Sequence, residues 1–397
     1  MITVEEAEKI ILAQATDYGA EIIPFELALG RVLAENIKAD RDLPPFDRVT
    51  MDGIAINYDA VADGISTFKI KATQAAGDEP VEIEENDECV EIMTGAMLPA
   101  SADTIIRYED LSLRAGLATL VTQEIKRGQN IHYKGKDKKH NDQVAEIGQV
   151  ITPALISMIA SVGETELRVK KLPRVVIISS GDELVEVDQI PSPYQIRRSN
   201  NYTVKAVLQQ HNIEANMLHL PDDPEVIKKQ LKTCLENYDV LLLSGGISMG
   251  KFDYMPKALE ELHVEQLFYK VQQRPGKPFW FGKHNKGPLV FAFPGNPVAT
   301  FMCLHRYFLP WLNASVGKEP QITMRAVLNN RVSFHHPLKY FLQVKLDQNE
   351  YCQLVATPVE GNGSGDFANL TDTDAFMELP AQRNEFKKGE VFKIYTF

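Results

Sequence analysis

Three short segments join an apolar run to a turn whose groups suit an anion or a metal ion. SGGISMG, residues 244–250, follows DVLLL. Its adjacent glycines, Gly245 and Gly246, remove two Cβ atoms and let successive backbone N–H groups turn toward one point. Ser244 and Ser248 add hydroxyls to that anion nest. A plain tight turn would use the same pair. The segment lacks the GK[ST] of a P-loop and does not read GxGxxG. SSGDEL, residues 179–184, puts Asp182 and Glu183 just past a second apolar run. Two carboxylates there suit Mg2+ on a phosphate substrate. They equally suit a helix start, where the macrodipole favours acids. Asp222 and Asp223 in LPDDPE read as a helix cap with Pro224 at the first helical position. Asp253 follows the double-glycine turn closely enough to share its pocket. The third segment, FPGNPVA (293–299), places Pro297 where a helix would begin.

Positive charge is unevenly spread. From Gln266 to Lys318 there is no Asp or Glu, yet the stretch holds Lys270, Arg274, Lys277, Lys283, Lys286, Arg306 and Lys318. The chain as a whole carries a net charge of -12. RPGKPFWFGK (274–283) sets cations among Pro, Gly and aromatics, so an anion pocket is expected; the alternative is a surface salt-bridged to acids elsewhere. Nucleophilic catalysis finds no support, because no GxSxG elbow is present and no motif surrounds any cysteine. The four cysteines, Cys89, Cys234, Cys303 and Cys352, lie too far apart for a structural zinc site and fit a reducing compartment. His335–His336, read as part of a strand, would point to opposite faces and make a poor metal site.

The elements that must hold these turns follow from the hydrophobic pattern. At 397 residues, with 44% hydrophobic and 24% charged residues, two to four folded domains are expected. The acidic balance disfavours nucleic acid or an anionic membrane as main partner. Met1–Ala15 carries early acids and no long apolar core, so it does not read as a signal peptide, and no apolar run reaches membrane-spanning length. A cytoplasmic location is the simplest reading. Residues 3–17 predict an amphipathic helix with Thr3 and Glu6 as a capping box. Pro44 and Pro45 enforce an extended path, and Gly53 suggests a turn. Short alternating strands are expected from 54 to 131, including Val81, Ile83, Val90 and Ile92; eight acids within 78–91 read as a solvated face. A helix and a short strand fill 151–170. From 171 the near-continuous apolar runs predict a parallel sheet covered on both faces, with its three turns converging at the carboxyl ends of the strands. The last 80 residues predict a small β-barrel or sandwich.

PPFDRVTMDGIA, EIMTGAMLP, RGQNIHYKGKD, SSGDEL, LSGGISMG, RPGKP and FPGNPV stand in this order along nearly the whole chain. In that order they resemble the molybdopterin molybdenumtransferases, the MoeA and gephyrin E-domain family. The resemblance implies a multidomain α/β plus β protein. Its parts would be a discontinuous domain (1–43 and 132–170), an inserted β-rich domain (44–131), a three-layer α/β molybdopterin-binding domain with a parallel-type sheet (171–316) and a C-terminal β-barrel (317–397). It implies Mg2+-dependent insertion of molybdate into adenylylated molybdopterin with release of AMP. Asp182, Glu183, Asp222 and Asp253 would hold the metal or position phosphates. Ser244, Gly245, Gly246 and Ser248 would meet a phosphate, while Lys270, Arg274 and Lys277 would meet the anionic substrate or molybdate. Pro294 and Pro297 would shape the wall. Asp52 and Thr94 would arrive from the partner in a homodimer, and Asp137 matches a further family carboxylate. Transient contacts with the molybdopterin adenylyltransferase and with molybdoenzyme chaperones are also implied. The sequence departs from the family at Arg274 (often Lys), His132 (often Arg), Arg198 (often Asp), Val49–Thr50 (usually Ser-Ala) and Met97 (usually Pro). Two other readings are an adenylyltransferase acting on molybdopterin and a non-catalytic scaffold of the same fold. The flanking β-rich segments argue against the first, and the retained carboxylates and Lys270 against the second.

Overall fold

The computed structural model describes residues 1–122, 124–246, 254–320, 322–359, 361 and 366–397. Ser248 and Asp253 therefore lie outside the described residues. The chain divides into two compact units: Met1–Ile22, Gly30–Ala34 and Arg168–Phe397 form one, and Ile23–Leu29 with Glu35–Leu167 form the other.

The larger unit begins with helix α1 (Val4–Leu12), shorter than its periodicity suggested. Its start is the expected capping box: Thr3 Oγ1 accepts from Glu6 N, and the Glu6 carboxylate accepts from Thr3 N. Val4, Ala7 and Ile11 enter the main core.

The smaller unit is built on a six-stranded sheet. Its strands are β1 (Gly53–Ile56), β2 (Thr67–Gln74), β3 (Glu88–Ile92), β4 (Thr104–Arg107), β5 (Leu111–Arg114) and β6 (Leu117–Leu120), in the order β4-β1-β3-β2-β6-β5. Every residue of β1 is buried, with Ala55 on one face and Ile54 and Ile56 on the other. Gly53 does not turn the chain as expected. It opens β1 between two partner strands, where a Cβ would stand 1.9 Å from the Ile106 carbonyl oxygen. Val81 and Ile83 pack against the core of this unit but belong to no strand.

Back in the larger unit, the α/β part runs β7 (Val175–Ser180), α2 (Asn200–Gln210), β8 (Asn216–Leu220), α3 (Pro224–Asn237), β9 (Val240–Ser244), α4 (Met255–Glu261), β10 (Val264–Tyr269), β11 (Trp280–His284), β12 (Leu289–Phe293) and α5 (Pro297–Cys303). The sheet order is β8-β7-β9-β12-β11-β10. Strands β8, β7, β9 and β12 are mutually parallel, and β11 runs antiparallel to both its neighbours. Both faces are covered, as the unbroken apolar runs predict. Val175, Ile177 and Leu242 enter one core, and Val176, Ile178, Leu241 and Leu243 the other. The chain passes from β7 to β8 on one side, then to β9 on the other. The crevice between β7 and β9 is thus the topological switch point, where ligands of such sheets bind.

The C-terminal strands β13 (Met324–Leu328), β14 (Lys339–Gln348), β15 (Leu354–Pro358), β16 (Ala375–Leu379) and β17 (Val391–Thr396) pair in the order β14-β15-β13-β17-β16. A further β14–β16 pairing closes them into a five-stranded barrel. Leu342, Val344, Ala356, Met377 and Ile394 fill its interior. His335–His336 precede β14 outside any strand, contrary to expectation.

Candidate active site

Strand register brings the sequence motifs to one edge. Ser179 of β7 is level with Ser244 of β9, and Ser244 with Phe293 of β12. Asp182 and Glu183, Asp222, Gly245–Gly246 and Pro294–Gly295 therefore all follow the carboxyl ends of neighbouring strands. The Asp182 Oδ1 accepts from Asp222 N at 3.2 Å, which ties the first two turns together. Asp223 is the helix cap, taking the N–H groups of Glu225 and Val226, so Asp222 is left on the site side of the cap. Gly245 and Gly246 sit at φ 88° and 68°, the left-handed region that glycine enters without a Cβ penalty. Asp182 and Glu183 are exposed, whereas Ser244 is buried.

Two polar residues hold these turns in place. Asn200, at the start of α2, donates to Ser244 Oγ at 2.9 Å and to the Gly295 carbonyl at 2.7 Å. Thr300 of α5 donates to the Pro294 carbonyl at 2.6 Å. Pro297 stands in the first turn of α5, as its position predicted. Below the edge, Asn201 donates to Ser179 Oγ at 3.1 Å, which is 3.1 Å from His219 Nδ1. Burial, then the Arg198 charge, hold the His219 imidazole below its usual range.

The cations of the acid-free stretch do not share one pocket. Lys270 follows β10, which is parallel to β12, so it reaches the same sheet edge as the glycine turn. It lies three strand spacings from β9, about 14 Å. Its ammonium stands 4.9 Å from the Tyr269 ring centroid. Arg274 pairs in register with Tyr340 of the barrel, with its guanidinium over Phe334, and Lys277 is exposed. Arg306 is 4% exposed and grips Glu8 through both terminal nitrogens at 2.8 Å. Lys283 donates to Gln14, and Lys318 lines a separate cleft. Proximity in sequence made these residues look like one site.

In the smaller unit, Asp52 and Thr94 meet. Asp52 Oδ1 accepts from both the Thr94 N–H and the Thr94 hydroxyl at 2.6 Å. These two bonds hold the Asp52 carboxyl below its usual range. Asp137 Oδ1 lies 2.9 Å from His132 Nε2, and Arg48 reaches His132 Nδ1 at 3.1 Å. Arginine only donates, so Nδ1 accepts and the ring proton sits on Nε2, facing Asp137.

Three family models match in succession: the MoeA N-terminal region (domain I and II) over residues 2–163, a probable molybdopterin binding domain over 176–314, and the MoeA C-terminal region (domain IV) over 325–397. A molybdopterin molybdenumtransferase from Synechocystis is 38% identical across the whole of both chains. The chain belongs to the MoeA family. A second relative of the same description, from Staphylococcus aureus, is 30% identical over 99% of this chain and 95% of its own. A molybdopterin biosynthesis MoeA protein from Pyrococcus horikoshii matches over the full length of both chains, with a TM-score of 0.81 and 25% identity.

Within this MoeA chain, the departures named above find their places. Arg198 is 7% exposed and paired with Glu186, so it balances an acid beside the strand-end turns. His132 joins Arg48 to Asp137 instead of supplying a fixed cation of its own. Asn200 and Thr300 are the residues that motif reading missed. The local signal was a polar residue near the start of a helix, first in the case of Asn200 and fourth in that of Thr300. Among the described residues no three His, Cys, Asp or Glu side chains form a metal-binding group.

Proposed function

We propose that this chain is a molybdopterin molybdenumtransferase, taking adenylylated molybdopterin and molybdate to molybdenum cofactor and AMP. The observation that carries this reading is family identity over the entire chain, with 38% of residues shared with one relative of that description. The α/β switch-point edge offers what the chemistry requires. Turned amides at Gly245 and Gly246, with Ser244 and Ser248, receive a phosphate. Asp182 and Glu183, which are exposed, with Asp222 and Asp253 are the carboxylates from which one or two would hold Mg2+, an ion that keeps most of its waters. Mg2+ held there would supply positive charge against the phosphates. Lys270, about 14 Å across the edge, suits the far anionic end of an extended substrate or the incoming molybdate. Arg274 and Lys277 add positive potential, and Pro294 and Pro297 form the wall. The protein's own work is to position and to stabilise charge, with no covalent enzyme intermediate.

In this proposal Asp52, Thr94 and Asp137 act in the site of a partner subunit, so a homodimer is the active form. The chain divides into the four domains set out from the sequence. It works in the cytoplasm, with transient contact to the molybdopterin adenylyltransferase and to molybdoenzyme chaperones; no helix among the described residues is long and apolar enough to cross a membrane. The test is AMP release from adenylylated molybdopterin in Mg2+, with and without molybdate. Molybdate-dependent release is expected. Binding without release would leave a carrier, and pyrophosphate from ATP plus molybdopterin would make the chain an adenylyltransferase.

A further inference from the structure

The turn that carries Arg274 and Lys277 is held from inside by a buried amide that motif reading passed over. Arg274 and Lys277 are exposed, whereas Gln273, Pro275 and Gly276 are buried. Main-chain bonds fix the base of the turn. Val271 N donates to the Lys277 carbonyl at 2.9 Å, Gln272 N to the Ile2 carbonyl at 2.8 Å, and Lys339 N of β14 to the Gln272 carbonyl at 3.0 Å. A side chain spans the tip: Gln273 Nε2 donates to the Gly276 carbonyl at 3.0 Å.

The other end of that amide is anchored in a helix. The Tyr307 hydroxyl donates to Gln273 Oε1, and Cys303 Sγ lies 3.5 Å from Gln273 Nε2. Cys303 ends α5, and Tyr307 belongs to the π turn Leu304–Phe308 that follows it. Such turns are rare and recur at functional sites. Tyr307 is buried, and burial pushes its phenol well above the usual range, so it stays a donor. Gly276 completes the fit. It sits at φ 85°, and a Cβ there would stand 2.7 Å from Cys303 Sγ and 2.9 Å from Gln273 Nε2. At its start the same helical stretch reaches the strand-end edge, where Thr300 holds the Pro294 carbonyl. One continuous piece thus holds both the wall of the site and the cation turn. An apolar side chain could fill the space of Gln273, but a fully satisfied buried network selects one arrangement of the turn.

We propose that Gln273 and Tyr307 are positioning residues that hold the Arg274 and Lys277 charges in a fixed arrangement for an anionic reactant, given the transferase reading above. Tyr307→Phe deletes one hydroxyl and leaves the buried Gln273 Oε1 without its donor. Gln273→Met removes the amide at nearly constant volume. In each variant, steady-state AMP release is expected to show a KM raised about fivefold or more with kcat within about twofold, the signature of lost binding without lost chemistry. A rise for molybdate would assign the two cations to the metal oxyanion, and a rise for adenylylated molybdopterin to its phosphates. Hydrogen exchange of the full-length protein, followed by mass spectrometry, is expected to speed up across 270–279 and to stay as in wild type across β7. A lower melting temperature with both KM values unchanged would overturn the proposal and leave the pair as core packing. Unchanged exchange across 270–279 would overturn it too. A wild-type protein that releases no AMP would refute the transferase reading instead. The molybdate Kd, measured calorimetrically, then tests the pair, and an equal Kd in wild type and Tyr307→Phe overturns its positioning role.

Discussion

Replacing Gly53 by alanine tests the link between the β-rich sheet and the residues it presents. The new Cβ would stand 1.9 Å from the Ile106 carbonyl oxygen and 2.8 Å from Arg107 Cα. A carbon–carbonyl contact needs about 3.3–3.6 Å, so β1 and β4 must separate by about 1.5 Å. Both clashing atoms belong to backbone, and no rotamer change relieves them. Overpacking of this kind costs about 1–3 kcal/mol, and each weakened ladder bond about 1 kcal/mol more. A loss near 3 kcal/mol lowers the melting temperature of a unit of this size by about 6–12 °C. Function should suffer beyond stability. The Asp52 carbonyl, one residue away, accepts from Tyr108 N at 3.1 Å, and the Asp52 side chain holds Thr94. Shifting such a pair by about 1 Å costs on the order of 10²-fold in turnover. The assays are thermal melting and molybdate-dependent AMP release at a temperature where the variant stays folded. Ile106→Ala in the same chain should give no rescue, because the obstacle is the main-chain carbonyl. Wild-type melting and turnover in Gly53→Ala would refute the reasoning.

Other outcomes follow from the same geometry. Asp52→Asn should abolish AMP release while the protein melts as wild type. The depressed Asp52 carboxyl stays ionised as pH falls through the ordinary Asp range, so activity resting on it persists there. Thr94→Val should move the acid limb of the pH–rate profile upward, and an unmoved limb would separate Thr94 from that ionisation. Asn200→Ala removes the donor shared by Ser244 and Gly295. It should raise the KM for adenylylated molybdopterin about tenfold, measured by steady-state AMP release. Part-buried Glu378 is pushed up by desolvation, but hydrogen bonds from Lys339 and Tyr395 outweigh this and leave it depressed. Its stabilisation is therefore full above the ordinary Glu range and lost as pH falls through its folded value. In Lys339→Met burial should win, and acid unfolding followed by circular dichroism should begin at a higher pH than in wild type.

Much of the site was legible because its parts are local. An apolar run that must be buried on both faces dictates a parallel strand. The glycines, prolines and acids after it then mark a carboxyl-end turn within a few residues. Thr3 with Glu6, Asp223 with Pro224, and Pro297 all act within one helical turn of their own position, so their roles could be read without the fold. The motif order along the chain likewise identified the family before any coordinates. Spatial grouping was a different matter. Lys270, Arg274, Arg306 and Lys318 of one acid-free stretch diverged to the sheet edge, the barrel, an ion pair with Glu8 and a separate cleft, because strand reversals send neighbours in sequence to different surfaces. Gly53 looked like a turn residue; only the approach of β4 made it the residue that admits a neighbouring carbonyl. Asn200 became a clamp only when α2, packed on β7 and α5, brought its first residue to the end of β9. Local sequence determined the turns and their chemistry, since short-range sterics and capping are set within a few residues. The tertiary structure alone decided which turns meet, since contacts across the sheet depend on strand order and register that distant segments set together.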